Sequence, residues 1–139
     1  MTGWLRLIFK QHHCELNWSY ADIPTMYDEL EASGLKTLYL LGWEEGGFAR
    51  QWPDFRVDER MGEKLLREGI EYVHRKGGKV LMFLSYALID HHSDFYLKEG
   101  GDKATIRSIW GEDIPFAETY CGEGTYRKIG NPAMPMYLA

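Results

Sequence analysis

Three clusters of aromatic, carboxylate, amide and imidazole side chains punctuate this sequence, and each trails an apolar, β-rich run. Gln11, His12, His13, Glu15, Asn17 and Trp18 follow the run from Leu5 to Phe9. Trp43, Glu44, Glu45, Arg50, Gln51, Trp52 and Asp54 follow the run from Thr37 to Leu41. Ser85, Tyr86, Asp90, His91 and His92 follow the run from Val80 to Leu84. Flat rings beside hydrogen-bonding acids and amides suit a ligand with apolar faces edged by hydroxyl groups, which is the surface of a sugar ring. Trp43, Glu44, Glu45, Trp52 and Asp54 offer that mixture. The same residues also have a plainer reading, with the two indoles packed over a core and the acids turned to water.

Cleaving a glycosidic bond takes two carboxyl groups, about 5 Å apart for retention and further apart for inversion, and they come from different strands. Sequence spacing does not pair them, so Glu15, Glu44, Asp90 and Glu118 are possible contributors and no catalytic residue is assigned. Other chemistries find less support. Adjacent histidines on a strand point to opposite faces, so neither His12 with His13 nor His91 with His92 can give two ligands to one ion, and no HxH or HExxH spacing occurs. No metal is expected. Ser85 lacks the glycines of a nucleophile elbow, and Cys14 stands beside His13 in no recognisable motif. The pairs Gly46-Gly47, Gly77-Gly78 and Gly100-Gly101 do not have the spacing of a phosphate-binding loop. No cofactor is expected.

The elements that must position these clusters alternate in type. Asp22 as cap, Pro24 in the first turn, Ile23, Met26, Tyr27 and Leu30 at helical spacing and Gly34 as stop predict a helix from Asp22 to Ser33. A second helix is predicted from Gly62 to Lys76, with Leu66, Ile70 and Val73 as its buried stripe and Gly77-Gly78 beyond its end. A shorter one is predicted from Ser93 to Glu99. The runs from Leu38 to Leu41 and from Val80 to Leu84 lack polar alternation, as strands covered on both faces should. Strands alternating with helices make βαβ units and a parallel sheet, whose ligands sit beyond the carboxyl ends of the strands. All three clusters fall there. From Ser108 to Ala139 no period holds, and the segment reads as a long ordered loop carrying Trp110, Phe116, Tyr120, Tyr126 and Tyr137, with one or two short strands.

Composition narrows the partners. The chain has 139 residues, 45% of them hydrophobic, which suits one globular domain. Sixteen basic against 21 acidic side chains give a net charge of -5, and no Lys/Arg block could neutralise successive phosphates, so nucleic acid is not expected as a partner. No apolar run reaches the roughly 18 residues of a membrane span, and Met1 to Lys10 does not read as a signal peptide, so no compartment is indicated and the cytoplasm is the default. Cys14 and Cys121 are far apart without CxxC spacing and read as unpaired thiols.

The run His12-His13-Cys14-Glu15-Leu16-Asn17-Trp18, then Asp22-Ile23-Pro24, Leu41-Gly42-Trp43 with Gly46-Gly47, Trp52-Pro53-Asp54-Phe55 and Asn131-Pro132-Ala133-Met134-Pro135-Met136 resembles an uncharacterised bacterial family of glycoside-hydrolase-like (β/α)₈ barrels, related to the α-galactosidase type. The resemblance implies a carbohydrate-active enzyme that hydrolyses O-glycosidic bonds with two carboxylates, the nucleophile following the fourth strand. It also implies that the strand-end Trp and the Pro-Asp loop border a sugar pocket. With about three βα units of the eight in a barrel, residues 1–139 are expected to form a single partial TIM-barrel domain, incomplete at its C-terminus, that hydrolyses nothing alone. Such a piece is expected to self-associate through its open sheet edges. Oligosaccharide or glycoside is the expected substrate, met by Glu15, Asn17, Trp18, Trp43, Glu44, Trp52, Asp54, Tyr86, His91 and Tyr120. Two alternatives stand beside this one. The first is a non-catalytic carbohydrate-binding barrel, and the second is a stand-alone small α/β domain, for example a flavodoxin-like ligand-binding module, which should unfold cooperatively as a monomer.

Overall fold

A computed structural model describes residues 3–10, 15–45, 51–84, 89–90, 92–105, 107–112, 115–118 and 128–130. Strands β1 (Trp4–Ile8), β2 (Thr37–Leu41) and β3 (Lys79–Met82) form one parallel sheet in the order β1-β2-β3. Helix α1 (Ile23–Ala32) joins β1 to β2, and α2 (Glu63–Arg75) joins β2 to β3. Both helices lie on one face of the sheet. Side chains alternate along a strand, so Leu7, Leu38 and Leu40 enter the core with Ile23, Tyr27, Leu30, Leu66 and Val73, and Leu5, Val80 and Met82 pack against it. This is the predicted α/β fold of parallel βα units.

The strands were expected to be covered on both faces. In the structure only the helix-facing side is. On the other side Trp4 remains 60% exposed and Leu81 48%, because no described element packs over them. That side is the one a closed barrel turns inward, where strands from around the ring fill it with side chains.

Local chemistry accounts for the helix ends. Pro24 sits in the first turn of α1, where no N–H is needed. Asp22 does not cap α1 with its side chain as expected. A 3₁₀ turn over Tyr20–Asp22 precedes the helix, which leaves the Asp22 carboxylate facing back to accept from the Ser19 N–H at 2.7 Å and the Ser19 hydroxyl at 3.1 Å. Gly34, at φ 77°, takes the left-handed turn after α1. In α2 the stripe includes Gly69, which sequence periodicity passed over. A Cβ there would lie 2.9 Å from Cβ of Ile23, so only glycine lets α1 and α2 approach this closely.

Beyond β3 the chain leaves the parallel pattern. Strands β4 (Ile89–Asp90), β5 (Pro115–Glu118) and β6 (Lys128–Gly130) make a second, antiparallel sheet in the order β4-β6-β5. Two short strands therefore do fall in the tail, and β4 is a third element that the sequence did not announce. Helix α3 (Asp94–Lys98) lies between β4 and the tail, with Ser93 Oγ accepting from the Tyr96 N–H at 3.1 Å as its N-cap.

Candidate functional site

Because the sheet is parallel, all three strands deliver their C-terminal ends to the same edge, and the segments after them meet there. Lys10 lies just past β1. Its side chain is 1% exposed, a placement that an ammonium tolerates only when its donors are matched. Two partners meet it: Nζ donates to the Glu44 carbonyl, 34 residues away just past β2, and pairs with the Asp58 carboxylate at 2.5 Å. Asp58, also 1% exposed, accepts further bonds from Arg60, at 2.7 Å from one terminal nitrogen, 3.1 Å from Nε and 2.9 Å from the backbone N–H. The Tyr20 hydroxyl donates to the Trp43 carbonyl and accepts from the Asp58 N–H at 3.2 Å.

A second layer ties β2 to β3. The Trp43 indole N–H donates to the Phe83 carbonyl at 2.9 Å, just past β3. Glu44, 1% exposed, turns its Oε1 to the indole N–H of Trp52 at 2.9 Å. Trp52 is itself buried beside Phe83, with ring centroids 5.6 Å apart. The strand ends are thus cross-braced by buried polar groups and by two buried indoles, Trp43 and Trp52.

Burial shapes the protonation of this layer. It pushes the Asp58 carboxyl up, but the Arg60 hydrogen bonds and Lys10 outweigh it and hold the group at about 2. Burial also pushes the Lys10 ammonium down against the pull of Asp58. It pushes the Tyr20 phenol up as well. Since Asp58 is depressed from an ordinary value of 3.8, its contribution is complete above that pH and is lost as pH falls toward about 2. By linkage it amounts to about 2 kcal/mol. Urea unfolding followed between pH 5 and pH 2 is expected to show a loss of that size attributable to Asp58. An Asp58→Asn variant with the same acid sensitivity would contradict it.

The loop after Trp52 is stapled to the segment after β3 by two carboxylates. Asp54 accepts from the Asp94 N–H at 2.7 Å and the Phe95 N–H at 3.2 Å, at the start of α3. Asp90, 1% exposed, accepts from the Gln51 N–H at 2.7 Å with one oxygen. With the other it accepts from the His92 N–H at 2.9 Å and meets the His92 ring Nδ1 at 3.0 Å. The Asp90 N–H in turn donates to the Trp52 carbonyl at 2.9 Å.

The residues singled out from sequence therefore separate into layers. Trp43, Glu44 and Trp52 come together in the buried brace. Asp54 is engaged with backbone N–H groups. Glu15, Asn17 and Trp18 lie exposed past the end of β1, where the Asn17 N–H donates to the Phe9 carbonyl at 2.8 Å. Tyr86, His91 and Tyr120 lie outside the described residues, as do Cys14 and Cys121. Sequence reasoning missed Lys10, Tyr20 and Asp58. A lysine directly after an apolar strand was the available signal for the first, but its partner is distant in sequence. Among the described residues no group of three His, Cys, Asp or Glu side chains could hold a metal ion. Two grooves run along the helices, one lined by Val57, Leu66, Ile70 and Met82 and the other by Tyr20, Pro24, Gly69 and Tyr72.

No family model and no curated protein matches this sequence. Solved structures do match its fold. An α-N-acetylgalactosaminidase, NagBb from Bifidobacterium bifidum, superposes with a TM-score of 0.73 at 17% identity, over 94% of this chain and 22% of that one. The α-galactosidase TtGalA from Thermus thermophilus matches with a TM-score of 0.60 at 14% identity, over 82% of this chain and 22% of its own. A Bacillus licheniformis trehalose-6-phosphate hydrolase matches with 0.62 at 12% identity, over 94% of this chain and 29% of its own. The chain thus spans between a fifth and a third of the length of these structures. Its fold is part of a TIM barrel, and the barrels that it matches are glycoside hydrolases.

Proposed function

We propose that this chain forms one sector of a (β/α)₈ glycoside hydrolase and contributes part of the rim on which its saccharide docks. One observation carries the reading: the ends of three parallel strands are braced to one another by Lys10, Trp43 and Glu44 at the carboxyl edge of the sheet, the edge on which barrels of this kind build their sites. The fold neighbours add the chemical class, since each acts on a glycoside. In this reading the uncovered sheet face bearing Trp4 and Leu81 is barrel interior, and further strands pack on it. Glu15, Asn17 and Trp18 stand outermost and meet the sugar, with the Trp18 ring, 41% exposed, as a stacking surface. Trp43, Glu44 and Trp52 hold the rim in shape from beneath.

A second reading draws on the carboxylates themselves. Glu44, Asp58 and Asp90 are all buried and all accept from N–H donors, so these acids fit a holding role better than the proton transfer of a glycosidase pair. On that reading the sector binds saccharide, and bond cleavage rests on carboxylates elsewhere.

Saturation-transfer NMR tests the shared claim. With p-nitrophenyl α-D-galactopyranoside or N-acetylgalactosamine, the chain is expected to saturate sugar-ring protons with a Kd on the order of 1 mM, while p-nitrophenol alone gains nothing comparable. Saturation of p-nitrophenol but of neither sugar would overturn the proposal.

A further inference from the structure

His92 takes no part in the strand-end brace except through its bond to Asp90, and its ring stands 49% exposed while its carboxylate partner is 1% exposed. That contrast defines its chemistry. Both oxygens of Asp90 accept from backbone N–H groups, one from Gln51 and one from His92, so Asp90 faces the imidazole as an acceptor. The ring nitrogen beside it, Nδ1 at 3.0 Å, must then be the one that carries a proton. In the neutral ring the other nitrogen, Nε2, then holds the unshared pair, on a side chain that is half exposed.

A contact between residues two apart could be a feature of one local turn. Here it is anchored from outside that turn. The Gln51 N–H that meets Asp90 is 39 residues away, and the Asp90 backbone is held by Trp52 and by pairing with Ile129. The imidazole is therefore fixed relative to the Trp52 loop, and through Trp52 and Glu44 to the strand-end brace. An oriented acceptor on a rigid mount, open to solvent beside a tryptophan-rich rim, suits recognition of an O–H group.

We propose that His92, oriented by Asp90, is a hydroxyl-binding residue of this rim and that its Nε2 accepts a hydrogen bond from a saccharide hydroxyl. This rests on the reading of the strand ends as a saccharide-binding rim. Asp90 acts as the positioning residue, holding the tautomer in which Nε2 is an acceptor. Neither role is legible in the sequence, where His91 and His92 are equivalent neighbours.

Two measurements on the 139-residue chain decide it. Long-range ¹H–¹⁵N correlation spectra are expected to show His92 in the Nδ1–H form when neutral, with that preference lost in Asp90→Asn. An Nε2–H form in the unmodified chain would overturn the proposal without any ligand. Titration with p-nitrophenyl α-D-galactopyranoside is expected to give about tenfold weaker binding for His92→Ala, the loss of one hydrogen bond to a group left in place, with partial recovery in His92→Gln, whose amide oxygen can reach toward the Nε2 position. Equal affinity in His92→Ala would overturn the role of His92 and leave the rim reading standing. Failure of the unmodified chain to bind would remove both.

Discussion

Asp58→Ala is expected to destabilise the chain by about 3 to 5 kcal/mol, because it leaves the ammonium of Lys10 buried without its countercharge. Lys10 is 1% exposed and cannot turn its head group to water without breaking its bond to the Glu44 carbonyl. The Coulomb attraction of the pair is weaker evidence than the cost of stranding one half. An Asp58→Ala/Lys10→Met double variant is therefore expected to recover much of the loss, since it removes both charges and keeps an unbranched apolar stem in the buried position. Urea unfolding of the single and double variants gives the cycle directly. A loss below about 1 kcal/mol for Asp58→Ala, the worth of a surface ion pair, would show that the strand ends are not braced by this pair.

Trp52→Ala is expected to cost a similar amount, about 3 to 5 kcal/mol, for a different reason. The indole is 1% exposed and fills the space beside Phe55 and Phe83, so its removal opens a cavity that the strand ends cannot fill. It also withdraws the N–H that Glu44 accepts. Trp52→Phe separates the two effects, keeping most of the ring volume while removing the donor, and is expected to cost about 1 to 3 kcal/mol. Circular dichroism during urea titration measures both. If Trp52→Phe proved as damaging as Trp52→Ala, packing would not be the larger share.

The parallel sheet was legible because its signals are local. Thr37 to Leu41 reads as a short apolar run, and α2 reads as a helix from a stripe at i, i+4 and i+7 with glycines at its end. The edge at which the polar clusters gather follows from parallel topology alone. What escaped notice depended on distance. Nothing near Lys10 in the sequence names Asp58 as its partner, so a lysine that is buried in the fold carried no signal of its role. Asp54 looked like a group for ligand because the backbone N–H groups of Asp94 and Phe95 that occupy it come from an element far along the chain. The sequence pointed to His91 and not to His92, although no local asymmetry separates them; the asymmetry lies in the strand pairing and loop contact that fix Asp90. The antiparallel sheet was only partly visible because its strands are two to four residues long, too short for a period to register.

Glycosidase-type barrels keep their chemistry at the carboxyl edge, and saccharide bound by this chain is proposed to sit there. Amide chemical-shift mapping during titration with p-nitrophenyl α-D-galactopyranoside tests it most directly. Shifts are expected to be confined to residues that come after β1, β2 and β3, namely 15–18, 43–45, 51–54 and 92, with the opposite edge around Gly34 to Lys36 and Gly77 to Lys79 unmoved. Shifts centred on that opposite edge, or on the helix-lined grooves, would contradict it.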